Sequence, residues 1–150
     1  MRNALSLVLL ASFALGGCAT TRPSMSFVAP EVTASDAQAL AGDVVTFLAD
    51  PLPPAHTTLL LDPPRDMTDA LTAAMTEQLR ARGYGIAIVP ERGPVPTGQG
   101  SALRYLASPL DNGIVLRLQY AGHEATKLYP RTTDGKLLTS GPFTLREVGQ

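Results

Sequence analysis

The sequence predicts an α+β domain in which two amphipathic helices pack on a mainly antiparallel sheet of about five short strands. A lipidated flexible tether is predicted to precede this domain. Two segments in the first half carry apolar residues at helical spacing, and segments in the second half alternate apolar and polar residues between turn signals. The third observation is an apolar N-terminal run that ends in small residues and a cysteine. With 150 residues, the chain has the length of one small domain plus an extension.

Residues 1–17 have the pattern of a secretory signal peptide. Arg2 supplies the positive start, and the apolar run from Ala4 to Leu15 is shorter than the about 20 residues of a membrane-spanning helix. The ending Gly16-Gly17-Cys18 resembles a bacterial lipobox. This resemblance implies cleavage between Gly17 and Cys18 and lipid attachment to Cys18. The alternative is an ordinary signal peptide that happens to end near a cysteine.

Charge and cysteine content exclude several classes of protein. The chain has 12 basic and 13 acidic residues, so it lacks the strongly basic character with which proteins hold nucleic acid. Its single cysteine cannot form an internal disulfide. A reactive thiol or a bridge between two chains is possible for a lone cysteine, but the lipobox favours acylation of Cys18. Ala19 in the next position favours sorting to the outer membrane, facing the periplasm.

Residues 18–34 are predicted to be the flexible tether, and residues 35–150 the domain. Prolines, serines and threonines without a sustained period indicate a linker that keeps the domain close to the membrane. Phe27 and Val28 have a second interpretation, a short segment that docks on a partner. The first helix is expected to begin at Ser35, with Gln38 completing a capping box, and to end before Pro51. Its apolar face comprises Ala37, Leu40, Ala41, Val44, Val45 and Leu48.

The next segment has the order strand, helix, strand. Asp66 is predicted to cap the second helix, and Gly83 to end it. The strands lie at residues 57–61 and 84–89, and the apolar helix face comprises Met67, Ala70, Leu71, Ala74, Met75 and Leu79. This order fits either a parallel β-α-β crossover or two strands paired side by side over the helix. Prolines and glycines make residues 90–100 a surface loop.

The remainder is predicted to be antiparallel sheet. Asp111-Asn112-Gly113 is a hairpin turn signal, and Ile114, Leu116, Leu118 and Tyr120 alternate with Val115, Arg117 and Gln119, which predicts one buried and one solvated face. Ala121-Gly122 is interpreted as a turn or a bulge. Tyr105 and Tyr120 are expected to face each other across the hairpin. Tyr129 and Phe143 are either exposed contacts for another protein or part of the core and its rim. The remaining strands are placed at residues 102–108, 124–129 and 143–147.

No group of residues has the spacing of a catalytic, metal or nucleotide site. The loop from Gly93 to Gly100 has glycines at phosphate-loop spacing, but Gln99 occupies the lysine position. His56 and His123 have no second ligand nearby, so neither predicts a zinc site. Capping accounts for Asp62, Asp66 and Asp69, and Ser140-Gly141 lacks the first glycine of a nucleophile elbow. We therefore expect no enzyme, no cofactor and no bound metal.

The C-terminal half contains a series of short residue patterns: Leu103-x-Tyr105, Leu110-Asp111-x-Gly113, Leu116-Arg117-Leu118, Leu128-Tyr129 and the ending Ser140-Gly141-Pro142-Phe143 through Arg146-Glu147. In these patterns the chain is similar to the TrbH family of conjugal transfer lipoproteins. The first half fits through Ala41-Gly42-Asp43-Val44-Val45 and the segment from Leu71 to Tyr84. The ending departs from the family, in which a Trp and a second basic residue are common before the final Glu, whereas this chain has Phe143 and Leu145 nearby.

The resemblance implies an anchored structural or assembly component of the mating-pair-formation apparatus, a type IV secretion machine. Its partners would be other channel proteins of the cell envelope and the membrane, with no direct nucleic acid and no small-molecule substrate. A second hypothesis is an exclusion lipoprotein, which blocks redundant transfer into the cell that bears it. The third is a periplasmic hydrolase or ligand-binding protein, which would need convergent polar residues that the sequence does not offer.

Overall fold

The computed structural model describes residues 26–65, 69–92, 98 and 100–148. Within these residues the chain forms two α-helices, one 3-10 helix and seven strands. In chain order they are β1 (Phe27–Val28), α1 (Ala34–Leu48), the 3-10 helix (Pro54–His56), β2 (Thr58–Leu61), α2 (Ala70–Arg82), β3 (Gly85–Ile88), β4 (Ser101–Leu110), β5 (Gly113–Tyr120), β6 (His123–Pro130) and β7 (Thr144–Glu147). The α+β prediction is confirmed, with more strands than expected.

All strands belong to one sheet, in the order β3-β2-β4-β5-β6-β7, with β1 paired to β4. Strands β4 to β7 form an antiparallel meander. Strands β1 and β2 run parallel to β4, and β3 runs parallel to β2. Of the two arrangements that the sequence left open, the chain has therefore taken the parallel crossover β2-α2-β3. In the described part of the chain, β3 and β7 form the two outer edges of this sheet.

Both helices pack on the same face of the sheet, where alternate strand residues are buried. Leu103 and Tyr105 of β4 share this face with Leu116 and Leu118 of β5, and none of the four is more than 1% exposed. All six residues of the predicted α1 face are buried, and so are Leu71, Ala74, Met75 and Leu79 of α2. The period of the apolar residues therefore predicted the buried helix faces correctly.

The start of α1 differs from the prediction. Thr33, not Ser35, is the N-cap, and its side chain accepts a hydrogen bond from the backbone N–H of Asp36. The Asp36 carboxylate accepts one in return from the N–H of Thr33, which completes the capping box two residues earlier than expected. The predicted partner Gln38 instead accepts a hydrogen bond from the amide of Gln78 on α2.

The folded domain also begins earlier than the predicted boundary at residue 35. Phe27 and Val28 form β1 beside β4, and Ala29 and Val32 are buried in the core. The apolar residues near position 28 therefore lie in the sheet and its core, in a stretch that the sequence assigned to the tether. Because β1 is only two residues long, it is too short to show the alternation of apolar and polar residues that identifies a strand in a sequence.

The predicted turns are present, whereas one predicted side-chain pair is not. Gly113 packs tightly against β6, because a Cβ there would lie 2.5 Å from the carbonyl oxygen of Tyr129. Ala121 and Gly122 form a two-residue turn with positive φ at both positions, as a type I′ turn requires. Tyr105 is paired with Leu118 rather than Tyr120, which faces Leu103. The register is two residues away from the one that would pair the two tyrosines.

Candidate functional site

The predicted cleavage and lipidation residues, Gly17 and Cys18, lie outside the residues that the structure describes. The same holds for Asp66, Met67 and most of the glycine-rich loop. Of the histidines, exposed His56 lies in the 3-10 helix, and His123 begins β6 with its ring 5.9 Å from that of Tyr120. In the described ranges, no three Asp, Glu, His or Cys residues are grouped closely enough to hold a metal ion.

The acidic residues around α2 have structural contacts. Asp69 is the N-cap of α2 and accepts hydrogen bonds from the backbone N–H and the hydroxyl of Thr72. The same hydroxyl is hydrogen-bonded to the buried phenol of Tyr105, whose pKa burial raises above its usual value. The N-cap of α2 is thus Asp69, three residues later than the predicted Asp66. Asp62 is not the N-cap either, and its carboxylate lies 3.2 Å from the guanidinium of Arg104.

The structure contains a buried ionic cluster that the sequence reasoning missed. The Lys127 side chain, on β6, is only 3% exposed and its ammonium lies 2.7 Å from the Asp43 carboxylate on α1. It also donates to the carbonyl oxygen of Thr139 at 2.7 Å, and its Nζ lies 5.0 Å and 5.2 Å from the ring centroids of Tyr129 and Phe143. The buried ammonium therefore has two hydrogen-bond acceptors and lies near two aromatic rings.

Tyr129 and Phe143 belong to the core and its rim rather than to an exposed contact. The Tyr129 phenol is fully buried and donates a hydrogen bond of 2.6 Å to the Asp43 carboxylate. Burial raises the pKa of Tyr129 above its usual value and the neighbouring Asp43 raises it further, so the phenol stays protonated. Phe143 is half-buried and stacks on Phe47 of α1, with 4.2 Å between ring centroids.

A second ion pair joins α1 to the end of β6. Arg131 donates from its two terminal nitrogens to the two oxygens of Asp36, at 2.8 Å and 2.7 Å. Asp36 is 3% exposed and also closes the capping box. Burial on its own would raise the pKa of Asp36, but the bonds from Arg131 and Thr33 outweigh it and lower the pKa below its usual value. One carboxylate thus fixes both the start of the helix and its position on the sheet.

We expect Asp36→Asn to lower the free energy of unfolding by about 2–3 kcal/mol at pH 7, since it removes one partner of a largely buried ion pair and weakens the cap. Because the folded pKa is depressed, this contribution is complete above about pH 4 and is lost as the pH falls through the folded pKa. Urea unfolding of both proteins between pH 2 and pH 7 measures the difference.

The control is Asp50→Asn, at an exposed residue just beyond α1, which should change stability by less than about 0.5 kcal/mol. A constant difference between wild type and Asp36→Asn down to the lowest pH would contradict the role given to the Asp36 charge.

Residues 131–143, which we call the β6–β7 strap, are held to α1 and β6 at three points. Arg131 binds Asp36, the carbonyl of Thr139 binds Lys127, and Phe143 packs on Phe47. The sequence does contain one sign of these contacts. Asp36 and Asp43 are seven residues apart, a spacing that places both carboxylates on the same side of the apolar helix α1. The strap thereby places β7 at the edge of the sheet.

Strand β7 presents an unpaired backbone edge in the described structure. Val148 donates its N–H to the carbonyl of Gly122. In an antiparallel pair every second residue forms backbone hydrogen bonds with the same neighbouring strand, so Arg146 and Thr144 are the next residues bonded to β6. The backbone groups of Leu145 and Glu147, between them, point outward. The Leu145 side chain is 58% exposed. An exposed edge of this kind can accept a strand from another protein.

The face of the sheet opposite the helices fixes β7 to its neighbours. The Glu124 side chain, 5% exposed, lies 2.9 Å from Arg146 of β7 and 3.6 Å from Arg117 of β5. Burial alone would raise the pKa of Glu124, but the hydrogen bonds from Gln119 and Arg146 and the two positive charges lower it overall. Arg146 therefore attaches the edge strand to β6 on this face of the sheet, in addition to the strap contacts on the other face.

The main features of the described part of the molecule are buried ion pairs between α1 and the end of the sheet, and unpaired strand edges. None of its helices combines the length and hydropathy needed to cross a bilayer. Compared with protein families, the chain matches the model of "Conjugal transfer protein TrbH" over residues 20–147. Neither curated protein sequences nor solved structures provide a significant match.

Proposed function

Because the chain belongs to the TrbH family of conjugal transfer proteins, we propose that it is a lipid-anchored structural component of a conjugative type IV secretion apparatus. It acts by binding other transfer proteins. The observation that carries this proposal is the family match, which spans residues 20–147 of the 150. Family membership indicates that the process is conjugal transfer. The unpaired strand edges of the domain support a role in assembly, because they can bind other proteins.

The anchor proposed is a lipidated Cys18, on the periplasmic face of the outer membrane. One acyl chain gives only marginal membrane binding, whereas two or more hold a protein stably. From Cys18 to Ser26, where the described chain begins, the backbone spans at most about 28 Å. A domain so anchored stays near the bilayer surface, where it can meet envelope-embedded parts of a channel.

The mode of binding proposed is strand addition to β7. Leu145 and Glu147 offer outward backbone donors and acceptors, and the exposed Leu145 side chain offers apolar contact. Backbone hydrogen bonds would supply affinity and alternate side chains would supply specificity. The Lys127 cluster and the strap hold this edge in place before a partner binds, which reduces the ordering cost of association.

A mating assay tests the role. Disrupting the gene in the donor should abolish transfer, and disrupting it in the recipient should leave uptake unchanged, because an apparatus component acts in the cell that exports DNA. In the complemented donor, Leu145→Asp should lower the transfer frequency by about tenfold or more, which corresponds to 1.4 kcal/mol of lost binding.

The matched control is Leu110→Asp, at another exposed leucine, 47% accessible, which lies at the end of β4 and outside both β7 and the strap. It should restore transfer as wild type does. Undiminished transfer from the disrupted donor, together with raised uptake by the disrupted recipient, would favour the exclusion hypothesis instead. Equal effects of the two leucine variants would contradict strand addition at β7.

A further inference from the structure

The edge of the sheet opposite β7 borders an open groove of about 590 Å³. One wall of this groove is helix α2 and the other is the C-terminal end of β3. The lining residues are Thr72, Ala73, Thr76, Glu77, Arg80 and Ile88. The groove lies on the helix-covered face of the sheet, because Ile88 pairs with buried Leu61 and packs against the core.

The backbone of β3 beside this groove has free hydrogen-bonding directions. Gly85 donates its N–H to the carbonyl of Thr57, immediately before β2, and Val89 donates its N–H to the carbonyl of Leu61 in β2. In a parallel pair, alternate residues bond to the same neighbour, so the backbone groups of Ile86 and Ile88 point away from β2. Within the described residues, no strand pairs with that side of β3.

The groove combines an apolar lining with two charges. Ala73 is exposed and Ile88 is partly buried, so both methyl-bearing side chains are accessible from the groove. Glu77 and Arg80, on the same wall, form no ion pair with any described residue. A ligand can therefore use apolar contact, backbone pairing and complementary charge in one place.

We propose that this groove binds an extended segment of a partner protein, which adds to β3 as an outer strand. Its backbone pairs with Ile86 and Ile88, an apolar side chain fits between Ala73 and Ile88, and flanking side chains carry charges opposite to Arg80 and Glu77. An extended peptide can supply this backbone pairing, whereas a bilayer cannot. That the partner is another transfer protein rests on the proposed function, whereas the groove's preference for peptide does not.

The test uses the full-length protein, purified in detergent, and a phage-displayed library of random linear dodecapeptides. Selected peptides should alternate apolar and charged residues, and a synthetic peptide should bind wild type in a fluorescence-anisotropy titration. Ala73→Arg should weaken this binding by about tenfold or more, because the new side chain fills the groove. Bound peptide should also slow amide hydrogen exchange at Ile86 and Ile88.

Ala81→Arg is the matched control, since Ala81 is an exposed α2 alanine that does not line the groove. It should bind the peptide as wild type does, and equal thermal unfolding of the two arginine variants shows that both are folded. Equal binding by Ala73→Arg, or a selection that enriches no peptide, would overturn the proposal. Self-association that Ala73→Arg abolishes would also overturn it, in favour of a second copy as occupant. None of these outcomes depends on the mating assay, so each proposal can fail separately.

Discussion

Replacing Asp43 with alanine should lower the free energy of unfolding by about 3–5 kcal/mol, because it leaves the buried ammonium of Lys127 without its counterion. The Lys127 side chain is 3% exposed, so water reaching the space left by the carboxylate would replace its charge only in part. The phenol of Tyr129 loses its acceptor in the same variant. Urea unfolding at pH 7 measures the loss, and Asp50→Ala, at an exposed position, should change stability by less than about 0.5 kcal/mol.

A double-mutant cycle separates ion pairing from packing in this cluster. Lys127→Met keeps the apolar stem but removes the charge, and should itself be destabilising because Asp43 is left without the ammonium. The double variant with Asp43→Ala should lose much less free energy of unfolding than the sum of the two single losses, because it removes both charges and leaves neither one buried without its partner. Strict additivity of the two changes would contradict the coupling.

The same cluster determines the position of the edge that the proposed function uses. Lys127 holds the carbonyl of Thr139, and Phe143 packs on Phe47 immediately before β7. Loss of Asp43 should therefore speed hydrogen exchange in the amides of β7 more than in those of β4, which lies at the centre of the sheet. The edge strand depends on the strap, whereas the central strands depend on the core.

Sequence reasoning succeeded where one residue type determines the local structure. The period of apolar residues gave both helix faces, and Gly83, in a left-handed conformation, ends α2 as predicted. The hairpin at Asp111-Asn112-Gly113 was equally readable, because such turns require residues that tolerate unusual backbone angles. These features depend on neighbours in sequence, so a single sequence contains them.

The features that were missed depend on residues far apart in the chain. Lys127 lies 84 residues from Asp43, and Arg131 lies 95 from Asp36. A lysine in an alternating strand ordinarily indicates the solvated face, and only the fold shows that Lys127 points to the core beside a helix carboxylate. The predicted pairing of Tyr105 with Tyr120 was wrong for a related reason. Both tyrosines lie on one face, but the two-residue turn sets the register that separates them.

The family assignment came from short residue patterns spread over the chain, and the match over residues 20–147 confirms it. The predicted anchor at Cys18 rests on the lipobox alone. Anchor and family together make one account: a small domain held at the membrane, whose strand edges bind other parts of the transfer apparatus. The account depends on Cys18, because an unanchored domain would diffuse away from its partners.

The most direct test is DNA transfer from a donor whose only copy of the protein carries Cys18→Ser, with the same cells fractionated into membrane and soluble periplasm. We expect the variant in the soluble fraction and a transfer frequency lower by about a hundredfold, since tethering raises the effective concentration of a binding domain by about that factor. Thr20→Ser, two residues further on, is the control and should behave as wild type. A Cys18→Ser protein that stays in the membrane and supports full transfer would contradict the account.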